Sequence, residues 1–352
     1  MRFAVCSLIV AACLVSTIAT FASSPVVPPT PPAPADASSG QFVLPSGPMT
    51  TFPSWDIEIF REYEPLMQYR SKDRSMEGLG SFLRKLIESK VQAGDTVRLK
   101  GYFILGEKYP LQLPNITLCG FGSYATTVHT ACRIDKTDYK PLGTPGILLA
   151  TNNRFEDIEL IGECHDPNED GGLVGWNTPG KAFVEFLRCR LNGKNRNDWL
   201  IYSWIQGPKT LIFTQCDLFF ARQGIAMCGS SDITHDVTVN DCRFYGDANG
   251  SKSMGASSLN DIDKGGVLAG IVLRGGSLTV NGAEFWLVGL TAPYDPTGKW
   301  GCPRMAAITD HYYTPGRIDS KFVLKNIRFH ATPNTTTVVE VFDIRAVKPT
   351  MN

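Results

Sequence analysis

Net charge is the first thing this sequence lacks: 34 Lys and Arg are balanced by 34 Asp and Glu. A nucleic-acid-binding domain normally shows a basic excess, so the balance argues against such a partner. Charge of either sign is also scarce, at 19% of residues against the roughly 25% usual for soluble chains. Beyond residue 22 no stretch is apolar enough to span a bilayer. The 10 cysteines include no Cys-x-x-Cys pair and no His/Cys ligand spacing, which argues against a zinc site. Helical periodicity is nearly absent. What the chain does have is 43% hydrophobic residues, enough for a large core and too many for global disorder. It also has 33 Gly and 23 Pro among 352 residues, too few for low complexity but suited to a chain dense in turns.

Residues 1–22 read as a secretory signal, with Arg2 as the positive start, an apolar run from Phe3 to Ile18 and a small-x-small site at Thr20-Phe21-Ala22. The apolar run is short for a membrane anchor. Val10-Ala11-Ala12-Cys13 loosely matches a lipoprotein box, but the run continues past Cys13. Residues 23–50 form a Pro-rich linker, densest from Pro25 to Gly40, and residues 51–352 form one domain. Export, extracellular or periplasmic, leaves Cys119, Cys132, Cys164, Cys189, Cys216, Cys228, Cys242 and Cys302 in an oxidising compartment. Their density is far below that of small disulfide scaffolds.

One motif recurs along the chain: apolar, any, apolar, then a small residue at a bend, then a large apolar residue. It appears as Val184/Phe186/Cys189/Leu191, Leu211/Phe213/Cys216/Leu218, Val237/Val239/Cys242/Phe244, Leu278/Val280/Ala283/Phe285 and Phe322/Leu324/Ile327/Phe329. Shorter echoes lie at Ile158/Leu160/Gly162 and Ile116/Leu118/Gly120. A second motif, Gly-Ile-any-Leu/Met, occurs at Gly146-Ile147, Gly224-Ile225 and Gly270-Ile271. Both have period two, which predicts short strands with one buried face. The bend positions 158, 189, 216, 242, 283 and 327 are separated by 31, 27, 26, 41 and 44 residues, intervals typical of solenoid repeats. A β-sandwich would not require one residue type at the same point of successive repeats.

These motifs resemble the pectin lyase-like superfamily of right-handed parallel β-helices, over roughly residues 94–341. Residues 81–93, with Leu83, Ile87 and Val91 on one helical face and Gly94 just beyond, resemble the helix that caps the first turn in that family. The resemblance implies an all-β, single-stranded parallel β-helix of about seven turns over residues 94–345. Equivalent side chains would then stack about 4.8 Å apart, with Cys189, Cys216 and Cys242 in one internal ladder. A metal or redox role for that ladder is one reading; thiols packing as small hydrophobes is the favoured one.

In the family, bends after the third strand wall a groove over the first strand of each turn. Here that groove would be floored by the Gly-Ile strands and walled by the long bends 246–266 and 288–303. The candidate catalytic residues are Asp261, Asp263, Lys264, Arg274 and Arg304; Trp176, Arg222, Tyr294 and Trp300 are candidates for holding the substrate. Arg274 and Cys228 occupy equivalent strand positions and should be neighbours on the floor. Carboxylates on adjacent bends could hold Ca²⁺, Lys and Arg could pair with a uronate, and the aromatics could stack sugar rings. The polygalacturonase signatures are absent, with Arg133-Ile134-Asp135-Lys136 the nearest approach. Trp204-Ile205-Gln206-Gly207 lacks the acid and histidine of the pectate lyase run. Two readings therefore stay open: a polysaccharide lyase or glycoside hydrolase, and a non-catalytic surface- or matrix-binding, adhesin-like β-helix. Both imply a polysaccharide or cell-surface glycan as partner.

Overall fold

The structure is a computed structural model describing residues 55–62, 64–105, 110–132, 144–164, 171–176, 179–193, 199–204, 207–220, 223–229, 232–247, 268–288, 305–309, 320–330, 340–343 and 350–351. The expected signal and linker, residues 1–50, lie outside them. The fold is all-β with one helix, and its strands pair mainly in parallel.

The strands fall into three rows. The first contains Asn152–Glu156, Ala182–Leu187 and Lys209–Thr214, continuing into the opening halves of His235–Asp247, Gly276–Val288 and Ser320–His330. The second contains Gly101–Leu105, Thr126–Cys132, Glu159–Cys164, Arg190–Asn192 and Asp217–Phe220, then the closing halves of the same three long strands. The third is a separate eight-stranded sheet built on the Gly-Ile motif. It includes Thr144–Leu149, Gly171–Trp176, Trp199–Trp204, Gln223–Cys228, Leu268–Arg274 and Met305–Thr309. Gly171–Trp176 and Trp199–Trp204 carry no Gly-Ile pair, yet they fill two places in this row.

Alternation puts like upon like. Phe155, Phe186 and Phe213 stack at ring distances of 4.9 and 5.1 Å, and Val239, Val280 and Leu324 extend that column. Leu160, Leu191, Leu218, Phe244, Phe285 and Phe329 form a second column, and Ile147, Val174, Ile201, Ile225, Ile271 and Ile308 a third. Burial of these columns supplies the main stabilising term.

The bend between the first two rows rests on one backbone conformation. Asp157, Arg188, Gln215, Asp241 and Asn326 have φ between 51° and 55°, and Gly282 has φ 91°. A left-handed residue costs about 1 kcal/mol when it is not glycine. Here the cost is offset by main-chain bonds to the next repeat: Asp157 N to Leu187 O (3.0 Å), Arg188 N to Thr214 O (2.9 Å) and Gln215 N to Asn240 O (2.8 Å). Directly after these residues come Cys189, Cys216 and Cys242, all buried and free, with Cys216 N donating to Cys242 Sγ at 3.4 Å. Burial pushes the Cys189 and Cys242 thiols well up, while the hydrogen bonds of both to Cys216 draw that middle thiol the other way. All three are closed off from solvent, as packing thiols are.

The helix runs Met76–Ser89, not 81–93 as the sequence suggests. Its cap is Ser75, whose Oγ accepts from Gly78 N at 3.0 Å, so it begins one and a half turns earlier. Leu79, Leu83, Leu86 and Ile87 are its buried stripe. A second departure is the hairpin of Ile57–Arg61 and Glu64–Tyr69, whose inner strand pairs antiparallel with Thr96–Leu99 and closes that edge of the first row. Arg61 Nε and Nη2 donate to the Asp95 carboxylate at 2.8 and 2.9 Å and hold its pKa below the ordinary value.

Gly80 sits where the helix meets Gly101–Leu105, and a Cβ there would collide with the Ile104 carbonyl. Gly80→Ala is therefore expected to lower stability by about 1–3 kcal/mol, although alanine is the better helix former. An unchanged or raised melting temperature would show that the helix does not sit this close.

Candidate functional site

The outward face of the Gly-Ile sheet is where the sequence places a groove floor. From Ile201, Ile225 and Ile271 onward side chains alternate, these facing the core and Tyr202, Ala226 and Val272 facing away. Ahead of them the alternation breaks, with Leu200 and Ile201 both in the core and Trp199 on the outer side. Three outward rows result: Trp199, Gln223 and Ala269; then Tyr202, Ala226, Val272 and Thr309; then Cys228 and Arg274. Trp199, Ala226, Cys228, Ala269 and Val272 form an apolar cluster of their own, with Tyr202 packed on it.

The ring of Trp199 stacks on Tyr202 at 4.4 Å. Its Nε1 lies 2.5 Å from where a Cβ of Gly172 would be, so glycine on the preceding strand leaves room for the indole. Gln223, beside Trp199, is 1% exposed, and neither its Oε1 nor its Nε2 has a hydrogen-bond partner. An unsatisfied buried amide costs about 1–3 kcal/mol.

Arg274 closes the Leu268–Arg274 strand, directly beside Cys228 as the register requires. Its guanidinium is half-buried, and its charge partly offsets the effect of burial, which pushes the Cys228 thiol up. Trp176 lies elsewhere. It points inward, 4% exposed, with Lys209 Nζ 5.6 Å from its ring centroid, so its faces are not open to a ligand. The reason is parity: Trp176 is two residues beyond the inward Val174. Asp261, Asp263, Lys264, Arg304, Arg222, Tyr294 and Trp300 lie outside the described residues. Among the described residues no group of three His, Cys, Asp or Glu could hold a metal ion, and no helix is long and apolar enough to cross a membrane.

The sequence reading missed Trp199, Tyr202 and Gln223. Gln223 immediately precedes Gly224-Ile225, and that offset was the available signal for it. Trp199 and Tyr202 flank a strand without the motif.

A surface cavity of about 440 Å³ lies on the bend between the other two rows, lined by Asp241, Arg243, Gly282, Glu284, Asn326 and Arg328 among others. Its arginines are already engaged: Arg243 by Asp217 at 2.6 and 2.8 Å, Arg328 by Glu284 at 3.4 Å. Comparison of the chain with protein-family models, with curated proteins and with solved structures finds no match.

Proposed function

We propose that this is an exported, right-handed parallel β-helix of the pectin lyase-like kind that binds a polysaccharide along the outward face of the Gly-Ile sheet. The observation that carries the reading is that two half-buried side chains, Tyr202 and Arg274, stand in adjoining outward rows over an apolar floor of Ala226, Val272 and Cys228. Tyr202 supplies an aromatic edge and Arg274 a cation in the adjoining rows. An aromatic ring beside a guanidinium is a recognition set for a carboxylate-bearing sugar ring. It includes no acid–base pair, so the reading is a binder. Cleavage would have to be supplied by Asp261, Asp263 and Lys264.

Isothermal titration against neutral and uronic-acid oligosaccharides tests this. Arg274→Ala is expected to weaken uronate binding by about 1–3 kcal/mol, and Tyr202→Ala to weaken both classes. A change at Lys72, exposed ahead of the helix, should leave affinity unaltered. No binding by the wild type, or equal affinity for wild type and Tyr202→Ala, would remove the site.

A further inference from the structure

The outward face of the second row carries a regular charge pattern that the glycan reading does not use. Glu159, Arg190, Asp217, Arg243, Glu284 and Arg328 occupy one register position in six successive strands. The signs run minus, plus, minus, plus, minus, plus. Two residues further on, the neighbouring column reads Ile161, Asn192, Phe219, Tyr245, Trp286, His330. Its four rings stack at 4.5, 4.8 and 4.1 Å with interplanar angles of 9°, 11° and 2°. Successive strands of an ordinary sheet rotate by about 20–25°, so this face is unusually flat. The stacked rings turn their faces to one another and present edges outward, which suits them to a packing surface rather than a sugar platform.

We propose that this face is the contact between two copies of the chain, related by a two-fold axis that sets the charge columns antiparallel. An even, strictly alternating column is self-complementary in that arrangement. Glu159 faces the partner's Arg328, Arg190 the partner's Glu284, and Asp217 the partner's Arg243, each twice. The central rows of the ring column bring Phe219 against Tyr245 of the partner subunit. A slip of one strand places like charge on like in every row, and parallel alignment in register does the same, so the pattern selects one closed arrangement. Pairing within the chain does not exhaust these groups. Glu159 with Arg190, Asp217 with Arg243 and Glu284 with Arg328 are joined by one or two contacts each. Glu159 also accepts from Thr127 Oγ1 and Asn192 Nδ2, and Glu284 pairs with His330, which is still short of the about four bonds a carboxylate accepts and the five a guanidinium donates. Six strands span only about 24 Å, which implies a weak, concentration-dependent dimer.

Sedimentation velocity of the full chain across the micromolar range, at low and high salt, tests this. A dimer that dissociates as salt rises is expected. Arg243→Glu places like charges in both central rows and should raise the dissociation constant by about 10-fold or more. Asp217→Arg/Arg243→Glu reverses both charges together, restores every opposition and should recover the wild-type constant. Circular dichroism melts separate loss of association from loss of fold. A wild type that stays monomeric throughout, an unaffected Arg243→Glu, or a double variant as weak as the single one would each overturn the arrangement.

Discussion

Phe186→Ala is expected to lower stability by about 3–5 kcal/mol, the scale for truncating a fully buried aromatic. Phe186 is the middle ring of the Phe155–Phe186–Phe213 stack, with 4.9 and 5.1 Å to its neighbours. Its loss leaves a cavity between two rings held by parallel strands on either side, which cannot close without moving the ladder. It also breaks two stacking contacts, each of about 0.5–1.5 kcal/mol beyond area burial. The control is Phe219→Ala, where the ring stands half-exposed on the outward face and stacks on Tyr245. That change should cost no more than about half as much in the monomer. Denaturant titrations read by far-ultraviolet circular dichroism would compare them, and equal midpoints for the two variants would contradict the inward assignment of Phe186.

Acid is expected to destabilise the protein in two separable stages, the first through His235. This ring is 0% exposed and accepts from Lys209 N through Nδ1 at 3.2 Å. Burial lowers its pKa from 6.5 to about 4 and the charge of Lys209 adds to the lowering, while a hydrogen bond with the Cys228 backbone and the charge of Asp236 pull the other way. Between those values the unfolded chain binds a proton that the folded chain refuses, so stability falls as pH drops from about 6.5 to 4. The full difference is roughly 3 kcal/mol. Asp95 adds a later stage: Arg61 lowers its pKa, so its contribution is present above the ordinary carboxylate value and is lost only below it. His235→Asn keeps a side-chain acceptor but does not titrate. It should flatten the profile above pH 4 and leave the lower stage intact. An unfolding free energy of the wild type that is constant from pH 7 to 4.5 would sink the assignment.

Much of the fold was legible because period-two alternation is a local property. Val184, Phe186 and Cys189 announce their faces without reference to any neighbour, and spacing alone aligned Cys189 with Cys216 and Cys228 with Arg274. The helix boundary was misread because Ser75 and Ser81 both offer a capping hydroxyl, and only the packing of Leu79 and Gly80 against Ile104 decides between them. The hairpin at residues 57–69 was missed because an antiparallel edge strand carries no repeat. The left-handed bend was equally hidden. Asp157, Arg188, Gln215, Asp241, Gly282 and Asn326 share a conformation but no side-chain chemistry, since the bonds that support it come from the next repeat's main chain.

The candidate site divides in the same way. Which residues turn inward is settled mainly by alternation within each strand, a consequence of pleating that needs no partner, and it fails where Leu200 and Ile201 both enter the core and leave Trp199 outside. Which outward residues meet is a matter of register between strands 24 to 46 positions apart, and hydrogen bonding across the sheet sets it. Trp176 shows the limit: its chemistry suited a sugar platform, but parity with Val174 turned it into the core. Gln223 shows the converse, an unremarkable residue in the sequence that becomes a buried, unpaired amide once Trp199 and Ala269 are laid on either side of it.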